Sequence, residues 1–251
     1  MSEPEPLRLN PDLGVAAHRR RYDERSRVHV SDFLESQSAK RILTCLEMER
    51  RWNLVTHLGG KHVDFDFAAM AKRSAADRAQ FLQLVHAQAE RSFEYLYLSY
   101  PIYQAYHDRK APGHFLNTVL EFLNSDEVLG VLRSITGAKD VAFIDAQATR
   151  YDRGHFLTMH DDESDSNSRR TAYVLSLTPE WQSDWGGLTL FYDAKGDVEE
   201  AFQPRFNSLN LFRVPQPHSV SMVAPFAPRA RFSVTGWLHA GEDPRGKIGQ
   251  P

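Results

Sequence analysis

From residue 141 onward the spacing of apolar residues changes period, and that change narrows the folds open to the chain. Before it, apolar residues recur three and four apart, as on one face of a helix. After it they alternate, as on a strand with one buried side. Short alternating runs cover 141–151, 171–178, 188–192, 207–212 and 231–238, separated by turn residues. In the last run Phe232, Val234, Gly236 and Leu238 share one face and Arg231, Ser233, Thr235 and Trp237 the other. Several short strands of this kind build a sandwich or barrel. The expected class is α+β: mainly β, an antiparallel core supported by helices from the N-terminal half.

In that first half, Arg27-Val28-His29-Val30 reads as a short strand. Asp32-Phe33-Leu34 leads into a helix with Ala39, Ile42, Leu43 and Leu46 on one face. A longer helix is expected from about Ser74 to Tyr95, carrying Phe81, Leu82, Val85, Ala89 and Phe93. Tyr95 to Tyr106 is too irregular to assign, and Phe115 to Leu123 is helical in spacing. Ser125 as N-cap, Val128, Leu129, Leu132 and Ile135 as buried face and Gly137 as stop define another helix. Residues 1–26 are expected to be a flexible arm, its first 17 residues polar and proline-containing. Residues 27–251 then form a single domain, with helical support over 27–140 and the β core over 141–240. His18-Arg19-Arg20-Arg21, with Arg25 and Arg27, is either a solvated basic tail or a docking arm for an acidic partner.

Composition excludes several functions. A net charge of −3 and a pI near 6.4 argue against nucleic acid as a partner, since such domains are usually strongly basic. The lone Cys45 excludes a disulfide framework or a cysteine zinc module and suits a reducing, cytoplasmic setting. No apolar run approaches the roughly 20 residues of a membrane span, and the first residues hold no apolar signal core. Any metal would therefore be bound by imidazole nitrogen and carboxylate oxygen.

One candidate for that chemistry is His160-Asp161-Asp162. On a strand, residues i and i+2 share a face, so His160 and Asp162 could hold one ion. A second His-x-Asp, His62-Val63-Asp64, is expected to be a decoy. Only His218 and His239 follow Asp162, and His218 is the better third ligand because another strand follows it. Two histidines and a carboxylate with open positions opposite make the facial triad of non-haem iron oxygenases. Arg231 and Ser233 share a face of the last strand. A guanidinium buried there needs an anion, and its planar fork suits a carboxylate. Metal triad and inward arginine together describe an ion plus a dicarboxylate co-substrate.

Four stretches occur in a telling order: Arg150-Tyr151-Asp152-Arg153-Gly154-His155-Phe156-Leu157 before His160; Trp185-Gly186-Gly187-Leu188-Thr189-Leu190-Phe191; Phe206-Asn207-Ser208-Leu209-Asn210-Leu211-Phe212 ahead of His218; and Arg231-Phe232-Ser233-Val234-Thr235-Gly236-Trp237-Leu238-His239. Together they resemble the prolyl-4-hydroxylase-like branch of the Fe(II)/2-oxoglutarate dioxygenases, and within it the ribosomal-protein prolyl hydroxylases. The resemblance implies a double-stranded β-helix (jelly roll) core packed on the N-terminal helices. It implies Fe(II) on His160, Asp162 and His218, and 2-oxoglutarate chelating the metal while Arg231, helped by Ser233, anchors its far carboxylate. Tyr151 would lie near the co-substrate and Tyr173 would form a wall. O2 is the oxidant, and ascorbate joins the cofactors the family implies.

Two departures stand out. Leu175 occupies the position where some relatives carry a co-substrate-binding tyrosine, and the second, related domain of the ribosomal-protein hydroxylases is not expected here. The implied reaction is hydroxylation of a C–H bond, on a prolyl residue of a protein or peptide, releasing succinate and CO2. Other readings of the same residues are hydroxylation of a free small molecule, a zinc hydrolase, and a non-catalytic jelly-roll module binding a metal or ligand. Nucleic-acid demethylation is disfavoured by the charge. Asp161 is expected to face away from the metal, and 163–168 to form a loop beside the entrance, as a mobile lid or an inert surface segment. No membrane partner is expected, and oligomeric state is left open.

Overall fold

The computed structural model describes residues 5–164 and 168–249. In chain order the first half holds α1 (Val15–Arg25), β1 (Arg27–Val30), α2 (Ser36–Met48), β2 (Asn53–Leu58), β3 (Lys61–Asp66), α3 (Phe67–Ala71), α4 (Ala75–Ala89), β4 (Tyr95–Tyr100), α5 (Ile102–His107), α6 (Phe115–Leu123) and α7 (Asp126–Thr136). The second half is β: β5 (Val141–Ile144), β6 (Gln147–Tyr151), β7 (Phe156–His160), β8 (Arg169–Ser176), β9 (Thr189–Tyr192), β10 (Val198–Phe202), β11 (Ser208–Arg213), β12 (His218–Val220) and β13 (Arg231–Ala240).

The strands pair antiparallel in the order β1-β11-β8-β13-β6-β4-β7-β12-β9-β10, with β2 beside β4, β3 beside β2 and β5 beside β13. This path curls round until its ends meet. Arg27 on β1 reaches Glu199 (2.6 Å) and Glu200 (2.7 Å) on β10, and its guanidinium lies over the Phe191 ring. Ion pairs thus link two edges that strand hydrogen bonds do not. The result is the nearly closed antiparallel core of a jelly roll, as expected.

Helices α2, α6 and α7 back this core. Ala39, Ile42 and Leu46, then Leu116, Val119, Leu120 and Leu123, then Val128, Leu129, Leu132 and Ile135 are all buried. Each large aliphatic among them contributes about 1.5–3 kcal/mol by leaving water. The ends of α7 follow from its sequence. Ser125 Oγ accepts from Val128 N, and Gly137 adopts φ 71°, a left-handed cap where a Cβ would also strike the Arg19 guanidinium of α1.

The N-terminal arm is corrected for its described part. Leu7 and Leu9 are buried, Leu9 bridges to Leu34, and α1 buries Tyr22, whose hydroxyl meets Thr171 Oγ1 at 2.9 Å. Three well-placed apolar side chains outweigh a polar average. The basic cluster has internal partners: Arg21 pairs with Glu200 at 2.6 Å, Arg25 with Glu199 at 3.2 Å and Arg19 with Asp23 at 2.6 Å. Arg21 and Arg25 join Arg27 in a clasp across the sheet ends, while Arg19 pairs within α1.

The long helix is also shorter than its periodicity predicts. α4 ends at Ala89, buries Val85, and leaves Leu82 exposed. Tyr95–Tyr100 enters the sheet as β4 between β6 and β7, a pairing that overrides local pattern. The run 141–151 breaks into β5 and β6. The β2–β3 hairpin was not anticipated, although Gly59-Gly60, both with positive φ, is a turn signal between two alternating runs.

Candidate active site

His160 closes β7 and His218 opens β12, and the two residues are direct partners in the antiparallel register. His160 Nδ1 lies 3.0 Å from the Thr158 carbonyl and His218 Nδ1 2.8 Å from the Gln216 carbonyl. Each carbonyl accepts an Nδ1–H, which leaves the Nε2 lone pair free on both rings. Both Nε2 atoms turn toward Asp162, at 3.3 Å from Oδ1 for His160 and 3.6 Å from Oδ2 for His218. Asp162 does not reach the site by strand alternation. β7 ends at His160, and Asp162 adopts the left-handed φ of 62°, a conformation that aspartate tolerates better than most residues. Asp161 is exposed and accepts Glu163 N at 3.0 Å, facing away as expected. Of the loop beyond, 165–167 lie outside the described residues.

Burial alone would raise the Asp162 pKa. The His160 and His218 rings that face it outweigh burial, so the carboxyl sits below its usual range. Trp237 Nε1, buried without a well-formed hydrogen bond, adds to that pull. Burial first, and His160 second, push His218 down to about 4. Near neutral pH the site thus offers a neutral His218 and an ionised carboxylate. One ligand atom from each of His160, Asp162 and His218 lies within 4.8 Å of the others, the grouping a metal ion would need.

These residues line a cavity of about 230 Å³, below the roughly 300–1,000 Å³ of pockets for drug-sized ligands and suited to a small acid beside an ion. Arg231 lines it from β13. Its side chain is buried, at 2% exposure, with Nε and Nη1 unpartnered and Nη2 only 3.4 Å from Thr189 Oγ1. It has no carboxylate partner among the described residues. Its guanidinium lies 5.1 Å from the centre of the Tyr151 ring, which stacks on Tyr97 at 5.0 Å and 14°. Burial raises both phenols, Tyr97 to about 12, so both are neutral hydrogen-bonding groups. Ser233 Oγ lies in the same cavity, 2.6 Å from Thr149 Oγ1.

Tyr173 is a correction. On β8 it is Ala172 and Val174 that face the cavity, so Tyr173 points the other way and its hydroxyl donates to the Asp145 carbonyl at 2.9 Å. Leu175 shares that opposite face and is fully buried in the core, so no cavity contact is lost there. His239 Nε2 lies 3.2 Å from Asp145 and outside the triad. His62 and Asp64 pair with each other at 3.2 Å, half-exposed, with no third ligand among the described residues.

Sequence reasoning missed Tyr97, Gln147, Thr149, Thr189 and Arg169, all of which line the cavity. Tyr97 lies in the stretch that gave no period. Arg169 donates to the Asp162 carbonyl at 3.2 Å and lies 3.7 Å from the centre of the Trp237 ring. Trp237 was legible, since it shares the Arg231 face of β13.

A family model described as "2OG-Fe(II) oxygenase superfamily" matches residues 146–239, the span that carries the triad and Arg231. Over this stretch the chain is similar to that oxygenase family. The chain is 36% identical over 115 residues to "Prolyl 3-hydroxylase OGFOD1" of Xenopus laevis and 30% identical over 115 residues to that of Mus musculus. Each match covers 43% of this chain but only 22% and 21% of the relative, about a fifth of its length. Among solved structures, an oxidoreductase of the 2OG-Fe(II) oxygenase family from Burkholderia pseudomallei has a TM-score of 0.60 at 14% identity, covering 99% of this chain and 100% of that one. A Pseudomonas putida prolyl-4-hydroxylase has 0.57 at 18%, covering 91% and 100%. A Trichoplax adhaerens prolyl hydroxylase, solved with a peptide fragment of hypoxia inducible factor, has 0.58 at 14%, covering 90% and 89%. These likenesses establish the fold; the matched family model implies Fe(II), 2-oxoglutarate and O2.

Proposed function

We propose that the protein is an Fe(II)- and 2-oxoglutarate-dependent dioxygenase that hydroxylates a prolyl residue of a protein or peptide. One observation carries this reading: a buried Arg231 guanidinium, with two nitrogens lacking any partner among the described residues, opens onto the same small cavity as a His-Asp-His cluster. A buried cation without an anion is costly, and the far carboxylate of 2-oxoglutarate is the anion that fits.

In this reading His160, Asp162 and His218 hold Fe(II) through two neutral Nε2 atoms and one carboxylate oxygen. Fe(II) held there would supply the coupling of 2-oxoglutarate decarboxylation by O2, giving succinate and CO2, to insertion of one oxygen atom into the target C–H bond. The protein's share is placement and the exclusion of water. Thr158 and Gln216 carbonyls keep both imidazoles turned Nε2-first. Arg231 pairs with the far carboxylate, and Ser233 and Thr149 offer hydroxyls beside it. Tyr151 and Tyr97 supply a dry aromatic wall that strengthens this pairing.

The prolyl substrate is supported by the names of the OGFOD1 relatives and by the Trichoplax complex with a peptide. The test is succinate release by purified protein with Fe(II), O2 and 2-oxoglutarate against a panel of prolyl peptides and free small molecules. Peptide-stimulated succinate with a matching mass gain of one oxygen supports the proposal. Stimulation by small molecules alone would replace the prolyl substrate, and metal-dependent hydrolysis with Zn(II) would replace the reaction.

A further inference from the structure

Both triad imidazoles rest on a backbone carbonyl, but the two carbonyls are held differently. Gln216, behind His218, lies in the loop before β12. Thr158, behind His160, is gripped by Glu94 three times. Thr158 N donates to the Glu94 carbonyl at 2.9 Å, Thr158 Oγ1 donates to the same carbonyl at 3.0 Å, and Glu94 N donates to Thr158 Oγ1 at 2.9 Å. These bonds extend the β4–β7 ladder by one step, from Leu96↔Phe156 and Tyr95↔Leu157, to the residue whose carbonyl orients the ligand.

Glu94 is itself anchored from behind. Its side chain is fully buried, and Oε1 accepts from Thr56 Oγ1 (3.0 Å), His57 N (2.6 Å) and Tyr95 N (2.8 Å), while Oε2 has no partner among the described residues. A buried carboxylate is costly even when hydrogen-bonded. This one fastens the start of β4 to β2 at the point where β4 holds Thr158.

We propose that Thr158, anchored by Glu94, is a positioning residue for the metal centre: its hydroxyl locks the peptide whose carbonyl keeps His160 in the Nδ1–H form with Nε2 toward the ion. The inference rests on the reading of His160, Asp162 and His218 as metal ligands. It assigns to the Thr158 hydroxyl, remote from the cavity chemistry, a share of the metal affinity. Partners that orient a ligand typically carry a 10–100-fold effect on affinity.

Mn(II) is the probe, titrated into the full chain without co-substrate and followed by loss of the free-ion electron paramagnetic resonance signal. Thr158→Val is expected to weaken Mn(II) binding about 10–100-fold, and Thr158→Ser to restore it to within about twofold of the parent. Thr56→Val removes one bond to the Glu94 carboxylate but leaves the Thr158 grip intact, so it is expected to lower the melting temperature and spare Mn(II) affinity. Nitrogen-15 shifts of the His160 ring are expected to show less Nδ1–H form in Thr158→Val. Thr158→Ala supplies the same deletion if the valine variant does not fold. A folded Thr158→Val or Thr158→Ala that binds Mn(II) like the parent overturns the inference alone. Equal loss of affinity in Thr56→Val makes the role merely structural and overturns it too. A parent protein that fails to bind Mn(II) overturns the metal reading, and the inference with it.

Discussion

His218 stands directly opposite His160 in the pairing of β12 with β7, with 4.1 Å between the ring centroids. Strand register, rather than spacing along the chain, brings these rings to one point, and Asp162 meets them from a left-handed turn. Removing one ring leaves two donors, too few to hold Fe(II) firmly. His218→Ala is expected to abolish peptide-stimulated succinate formation and to weaken Fe(II) binding by at least about 100-fold, as read by anaerobic titration, while the melting temperature of the metal-free protein changes little.

Arg231 places function and stability in opposition. An unpaired buried guanidinium destabilises the protein without ligand, and replacing such a charge by an apolar side chain of similar size often stabilises by about 1–4 kcal/mol. Arg231→Met is therefore expected to raise the melting temperature of the ligand-free protein and to abolish the further rise that 2-oxoglutarate gives the parent. Thermal unfolding with and without 2-oxoglutarate checks both.

Stability is expected to fall with acid across a defined window. Burial pushes His155 and His218 down to about 4, against about 6.5 in the unfolded chain. Below 6.5 the unfolded state takes up protons that the native state refuses, so stability is full above 6.5 and declines toward pH 4. The two groups together account for a loss on the order of several kcal/mol. Urea unfolding of the metal-free protein from pH 7 to 4 measures the slope, and His155→Gln is expected to flatten it.

Tyr173 tests the corrected wall. Its ring faces away from the cavity and its hydroxyl holds the Asp145 carbonyl. Tyr173→Phe is expected to cost about 1 kcal/mol of stability and to leave the 2-oxoglutarate requirement unchanged. A raised requirement in steady-state assays would return Tyr173 to the site.

The clasp between β1 and β10 carries a further expectation. Arg27 is buried at 3% exposure and grips Glu199 and Glu200 together. Arg27→Ala loses the contact of its guanidinium with the Phe191 ring as well as the ion pairs, and is expected to destabilise by about 2 kcal/mol in urea unfolding.

The triad, Arg231 and Ser233 were legible because each lies in or beside an alternating run whose faces can be read from side-chain type. Asp162 was found for the wrong geometric reason: an i, i+2 spacing on a strand and a left-handed turn after one leave the same pattern. Tyr173 failed where a face had to be assigned from resemblance alone, since one step along β8 reverses every side chain. Tyr97 and Glu94 left no local signal, because β4 is a strand only by virtue of its neighbours. Leu7, Leu9 and Tyr22 were hidden by averaging over a polar segment, and the arginines of α1 showed their charge but not the Glu199-Glu200 pair far along the chain.

The central claim is that Arg231 and the His160–Asp162–His218 cluster bind the two ends of one dicarboxylate, one through its far carboxylate and the other through the metal. Anaerobic calorimetric titration of 2-oxoglutarate into Fe(II)-loaded protein tests it most directly. The expected result is one site that disappears in Asp162→Ala and weakens at least about tenfold in Arg231→Ala, by more than about 1.4 kcal/mol. Binding that is equally tight without metal, or unchanged in Arg231→Ala, would contradict it.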